Sequence, residues 1–109
     1  RLYVHAIHLG EVYYITHREK GKDVANLAYT RIKAFPIHVV DRISESLLLI
    51  ASSLKARFPV SYAGAYAAAL AKINRVPLLT GDPEFKPLQE HGELNVVWLR
   101  SVPPFIEKQ

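Results

Sequence analysis

The chain has 109 residues, 50% of them hydrophobic and 22% charged, a balance that folds as one domain with a real core and excludes a disordered chain. Its formal net charge of +4 and sequence pI near 9.5 permit nucleic-acid binding without requiring it, because no basic run is dense enough to track a phosphate backbone. The absence of cysteine excludes disulfides and thiolate metal sites and agrees with a cytoplasmic setting, while no apolar run reaches the length of a membrane span.

The opening Arg1-Leu2-Tyr3-Val4-His5 has neither the apolar centre nor the cleavage site of a signal peptide. No strand is expected ahead of the first helix, and methionine is absent throughout, so the start of the natural protein is expected to be missing. Ile7, Glu11, Tyr14 and Ile15 recur at helical spacing and predict a helix over 4–17. Within it Glu11 lies among Leu9, Val12 and Tyr13; a shielded carboxylate there needs a partner or a metal, whereas an exposed one pairs with nearby cations. His5, His8 and Glu11 drift around a helix at that spacing, so a pair could share a ligand but the three together fit poorly. Imidazole with carboxylate would favour zinc or manganese; surface histidines are the simpler expectation.

Gly21-Lys22-Asp23 reads as a turn, with Asp23 capping a second helix whose core stripe is Val24, Leu27, Ala28, Ile32 and Phe35. Residues 36–40 are a β-branched strand. Asp41 is then expected to cap a long helix with Ile43, Leu47, Ile50, Ala51, Leu54 and Phe58 inward, ended by Pro59. Ser61 caps the next helix, over 62–73, whose many alanines leave no bulky face and suit burial between layers. Gly64 in its first turn costs about 1 kcal/mol against alanine, and nothing local in the sequence recommends it.

The run Val76-Pro77-Leu78-Leu79 is the length of a buried strand. Thr80-Gly81 breaks it, Asp82 can cap the helix that follows, and Pro83 suits a first helical position. A carboxylate therefore sits where a strand hands over to a helix, the end of an open α/β sheet at which ligands bind; the plainer reading is a cap alone. Residues 94–99 form a last strand and 101–105 an extended tail. The alternation of strand and helix from Pro36 onward predicts a parallel sheet with right-handed crossovers, holding 37–40, 76–80 and 96–99.

The stretch Ser61-Tyr62-Ala63-Gly64-Ala65-Tyr66, followed by Thr80-Gly81-Asp82-Pro83-Glu84-Phe85, resembles the C-terminal half of a PIN domain, the metal-dependent ribonuclease family that includes VapC-type toxins. Thr80, Gly81, Asp82 and Phe85 match the family's turn, and residues 7–15 are similar to the helix carrying its second acid, which lands on Glu11. Two departures accompany the match. Gly64 stands where the family has an aspartate, and the family's opening strand, which ends in an aspartate, has no counterpart.

The resemblance implies an α/β fold, a parallel sheet flanked by helices in a single domain, and hydrolysis of RNA. Hydrolysing a phosphodiester needs an activated water and stabilisation of growing negative charge, which hard divalent ions held by carboxylates provide. The implied cofactor is Mg2+ or Mn2+, with Glu11 and Asp82 as catalytic and metal-binding residues. Thr80 would bond to a carboxylate or a metal-bound water, and Gly64 marks a degenerate acidic position. Two carboxylates would hold a metal weakly, so poor cleavage or none is expected. The implied partners are an RNA substrate and an antitoxin protein, with a homodimer possible. A degraded PIN fold that binds RNA or a protein is the competing expectation, and an unrelated small α/β binding domain comes last. Geometrically, Glu11 and Asp82 are expected to share a cleft that Gly64 faces, and Gly64→Asp to tighten metal binding without loss of stability.

Overall fold

The computed structural model describes residues 2–99, and the chain's contacts divide it into two units, Arg1–Ser44 and Glu45–Gln109. In the first, β1 (Leu2–His5), α1 (Ala6–Lys20), α2 (Lys22–Ala34) and β2 (Ile37–Val40) follow one another. β1 and β2 pair in parallel, from Leu2 opposite Ile37 to His5 opposite Val40.

A strand thus precedes the first helix, where the sequence predicted none, and α1 begins and ends later than 4–17. The cause lies at His5. Its backbone is extended, and its side chain caps α1 by accepting the Ile7 N–H at Nδ1, 3.1 Å away. That bond leaves the ring proton on Nε2, which donates to the Arg42 carbonyl at 3.1 Å. His5 is 2% exposed, so the expectation of a surface histidine is corrected: this one is a buried cap satisfied at both nitrogens.

Gly21, at φ +93°, a conformation that favours glycine, joins α1 to α2 and serves as the cap of both. Asp23 accordingly lies inside the first turn of α2 and does not cap it. The two helices pack on each other, with the Tyr13 hydroxyl donating to Asn26 Oδ1 at 2.6 Å and the Tyr13 and Tyr29 rings meeting edge-on. Ala25 is the buried residue of α2, whereas Val24, Leu27 and Phe35 of its predicted core stripe are exposed.

The second unit runs α3 (Glu45–Arg57), α4 (Tyr62–Asn74), β3 (Leu78–Thr80), a 3-10 turn (Pro83–Phe85), α5 (Lys86–Glu90) and β4 (Val96–Trp98). Asp41 is not the cap of α3, which starts at Glu45, and Ile43 is exposed; from Leu47 onward the stripe holds, with Leu47, Ala51, Leu54 and Phe58 buried. They pack in a core to which α4 gives Ala65, Tyr66, Ala68, Ala69 and Leu70, and Phe85 and Leu88 are buried below the 3-10 turn and in α5. α3 and α4 pack on each other, and the alanines Ala65, Ala68, Ala69 and Ala71 of α4 are buried.

β3 and β4 pair in parallel from Leu78 opposite Val96 to Thr80 opposite Trp98. The strands expected from the sequence form and run parallel in an α/β arrangement, but the single sheet expected to hold all three is corrected: they fall into two two-stranded sheets, and the last two are shorter than 76–80 and 96–99. Ile37–Val40 pairs with β1, and the other two pair with each other. The expected tail over 101–105 lies outside the described residues.

Glu93, just before β4, ties the unit together from its periphery. Its carboxylate meets Arg57 at 2.6 Å and Lys72 at 2.7 Å, joining the ends of α3 and α4. Hydrogen bonds from Arg57 and then Lys72 hold its carboxyl down at about 2, well below the usual carboxylate range.

Candidate active site

The turn after β3 is built by side chains bonding to nearby backbone. Thr80 Oγ1 accepts the Asp82 N–H at 3.0 Å, and Asp82 Oδ1 accepts the Glu84 N–H at 2.9 Å. Asp82 is therefore the cap expected of it, with Pro83 opening the 3-10 turn. Such side-chain to backbone bonds are what aspartate and threonine offer a turn that a helix interior cannot use. Phe85 and Leu88, 5% and 0% exposed, seat the turn and α5 in the core. Asp82 itself stays exposed, and its second oxygen, Oδ2, has no hydrogen-bond partner among the described residues.

Glu84 turns the other way, toward the first turn of α4. Its Oε1 accepts the Ser61 backbone N–H at 2.8 Å and its Oε2 accepts the Ser61 hydroxyl at 3.2 Å. Ser61 Oγ in turn accepts the Gly64 N–H at 2.9 Å, the cap predicted from sequence. A carboxylate is favoured at a helix N-terminus, where backbone N–H groups lack intrahelical partners.

Gly64 is buried against this carboxylate. A Cβ at position 64 would fall 2.5 Å from Glu84 Oε2 and 2.8 Å from Ser61 Oγ. The space in which a side chain of α4 would begin is thus filled by Glu84. That supplies the reason for glycine which the sequence alone lacked. It also corrects the expectation for Gly64→Asp: a side chain enters there only if Glu84 swings out and its bonds to Ser61 are lost.

Thr80, Asp82, Glu84, Ser61 and Gly64 are in this way joined by one run of hydrogen bonds within the second unit. Glu11 belongs to the first unit, midway along α1, half-buried and without an ion pair or hydrogen bond among the described residues. Its neighbour Leu9 is buried and Val12 is exposed. His8 meets the His5 ring edge-on at 6.5 Å.

Among the described residues, no group of three or more His, Asp or Glu side chains is placed to hold a metal ion. The donors that the turn does offer are hard carboxylate oxygens, with Asp82 Oδ2 open. Magnesium keeps several waters and takes one or two protein carboxylates; Asp82 Oδ2 is the one carboxylate oxygen of the turn left open to such an ion, since Asp82 Oδ1 and both Glu84 oxygens are hydrogen-bonded.

Glu84 is the residue that sequence reasoning missed. Its signal was present, an acid two positions beyond Asp82 in the same turn. Its partner Ser61 lies 23 residues away, and no local pattern joins the two.

The PIN domain family model matches residues 1–90. A solved structure, a toxin-antitoxin complex from Klebsiella pneumoniae, has a similar fold at a TM-score of 0.55 and 17% sequence identity. The likeness covers 74% of this chain and 63% of that one, so the chain spans less than two thirds of its neighbour's length. A comparison with curated proteins found no match.

Proposed function

The chain belongs to the PIN domain family, and on that premise we propose that it is a metal-dependent ribonuclease domain, the VapC-type toxin of a type II toxin–antitoxin pair, with an incomplete acidic site. The observation that carries this reading is the turn after β3, which presents an exposed Asp82 with one oxygen fixed by backbone and the other open. Asp82 is the proposed carboxylate for Mg2+ or Mn2+ through Oδ2; Glu11, in the other unit, is proposed as a metal-binding acid on the family resemblance alone. Thr80 sets the direction of Asp82 by holding its backbone N–H.

When bound, such an ion supplies charge stabilisation to the scissile phosphate and lowers the pKa of a water. The protein's part is to fix the carboxylate in advance, so that no reorganisation is needed as charge develops. RNA is the proposed substrate, and an antitoxin protein the proposed partner, by likeness to a fold found in a toxin-antitoxin complex. No helix among the described residues is long and apolar enough to cross a membrane. The proposed setting is the cytoplasm, and the proposed assembly a homodimer.

Gly64 favours a second reading, a PIN fold that binds RNA or a protein without cutting, because the acid of the family pattern is absent from α4. The two are separated by incubating single-stranded RNA with the protein in Mn2+ or in EDTA. Slow Mn2+-dependent cleavage that disappears in Asp82→Asn is expected from the first reading. Binding of the same RNA with no cleavage is expected from the second. Equal cleavage by the parent and Asp82→Asn overturns the assignment of Asp82.

A further inference from the structure

The family pattern gives no role to Glu84 and none to a glycine at position 64, yet in this chain the two fit each other. Glycine is among the poorest helix formers, and Gly64 lies in the first turn of a 13-residue helix rich in alanine. It has no positive φ that would require glycine. What opposes a side chain is steric: a Cβ would sit 2.5 Å from Glu84 Oε2 and 2.8 Å from Ser61 Oγ, so one enters only if these side chains give up the positions that their mutual hydrogen bonds hold. Glu84, for its part, bonds to Ser61 through both oxygens, and its own backbone N–H holds Asp82 Oδ1.

We propose that Glu84 is the positioning residue for Asp82, anchored on the first turn of α4, and that Gly64 is the vacancy that admits it. This inference rests on the reading of Asp82 as a metal-binding carboxylate. The chain of cause is short. Ser61 fixes the Glu84 side chain at both oxygens, which fixes the backbone of the 3-10 turn at residue 84. The N–H of residue 84 then fixes which oxygen of Asp82 is engaged and leaves Oδ2 open. Phe85 and Leu88 set the depth of the turn; Glu84 sets its orientation against α4.

A glutamine at position 84 keeps this geometry, because its carbonyl oxygen accepts the Ser61 N–H and its amide donates to the Ser61 hydroxyl. It removes the charge. An alanine removes both. The pair of substitutions therefore separates positioning by Glu84 from direct contact between its charge and a cation.

The test uses the full chain and five variants: Glu84→Ala, Glu84→Gln, Gly64→Ala, the double variant Glu84→Ala/Gly64→Ala, and Asp82→Asn. Thermal unfolding and Mn2+ titration by calorimetry are measured on each. Gly64→Ala is expected to lower Tm, against the rise that helix propensity alone predicts, and to lower it less in the Glu84→Ala background, where the contact with Ser61 Oγ alone remains. Mn2+ affinity is expected to fall several-fold in Glu84→Ala and in Gly64→Ala and to stay near the parent's in Glu84→Gln.

A Tm that rises in Gly64→Ala with Glu84 present overturns the steric match. Mn2+ affinity that is lost in Asp82→Asn but unchanged in Glu84→Ala overturns the positioning role and leaves the metal reading standing. Affinity lost equally in Glu84→Gln and Glu84→Ala also overturns positioning, in favour of direct ligation. Mn2+ binding absent from the parent overturns the metal reading and the positioning role together, while the Tm pattern still reports the steric match.

Discussion

Glu11 and Asp82 are the two acids that sequence and family pattern single out, and their surroundings differ in kind. Asp82 sits in a short turn where each polar neighbour is accounted for: Thr80 holds its backbone, Glu84 holds one of its oxygens, and the Phe85 ring anchors the turn below. Glu11 projects from the middle of a regular helix, where backbone groups bond to one another and offer a side chain nothing. A turn residue is positioned by its own segment. A helix residue is positioned by what packs against the helix. The first kind of site can be read from a few consecutive residues, and the second cannot.

The strongest challenge to that contrast removes the floor of the turn. Leu88→Ala empties a fully buried position and is expected to cost about 2–5 kcal/mol, read as a lower urea midpoint. Its Mn2+ affinity is expected to fall with it, since Asp82 is carried by the turn that Leu88 anchors. A smaller effect is expected at the start of α1. His5→Ala leaves the Ile7 N–H and the Arg42 carbonyl without the ring that pairs them, at a cost of about 1–3 kcal/mol. An unchanged stability in His5→Ala would mean that α1 needs no cap.

Acid pH probes the second unit by itself. Because Glu93 is held near 2 in the folded chain, against an ordinary value near 4.5, the stability it contributes is complete above that ordinary value. It is lost as pH falls from there toward about 2. Arg57 is solvent-exposed and Lys72 partly so, so the effect is modest and weakens further in salt. Glu93→Gln is expected to flatten the acid limb of Tm against pH, and an unaltered limb would place the pH response elsewhere. The smallest stability effect is expected at Glu11: Glu11→Gln should stay within about 0.5 kcal/mol of the parent, because no bond within the described residues is lost. A larger loss on denaturant unfolding would show that Glu11 has a structural partner after all.

The sequence was most legible where local chemistry decides. Ser61, Asp82 and Pro83 perform as caps and helix starters, the alanine-rich helix is buried, and the strands at Ile37–Val40, Leu78–Thr80 and Val96–Trp98 run parallel to their neighbours. It was least legible where a single residue ends one element and begins another. His5 closes β1 and caps α1, so the helical spacing carries the expected helix back over Val4 and His5, which belong to the strand. Gly21 caps two helices at once, which makes Asp23 look like a cap when it lies two residues past the cap, inside the first turn. Val24, Leu27 and Phe35 have helical spacing but remain exposed, since spacing defines a face and not what covers it.

In the candidate site the same division holds. Asp82 and Thr80 were legible because their bonds span two residues each. The meeting of Glu84 with Ser61 and Gly64 was not, since it depends on the path of the chain through α4 and β3. A glycine that looked like the loss of an acid is, in three dimensions, the seat of another.

The central claim is that Asp82, held in its turn, is the carboxylate through which this PIN domain binds a divalent ion. It is tested most directly by calorimetric titration of Mn2+ into the parent and Asp82→Asn, with unfolding followed in parallel. Weak binding by the parent and none by Asp82→Asn, at nearly equal stability because asparagine caps as well as aspartate, is the expected result. Equal Mn2+ binding by both proteins would contradict it.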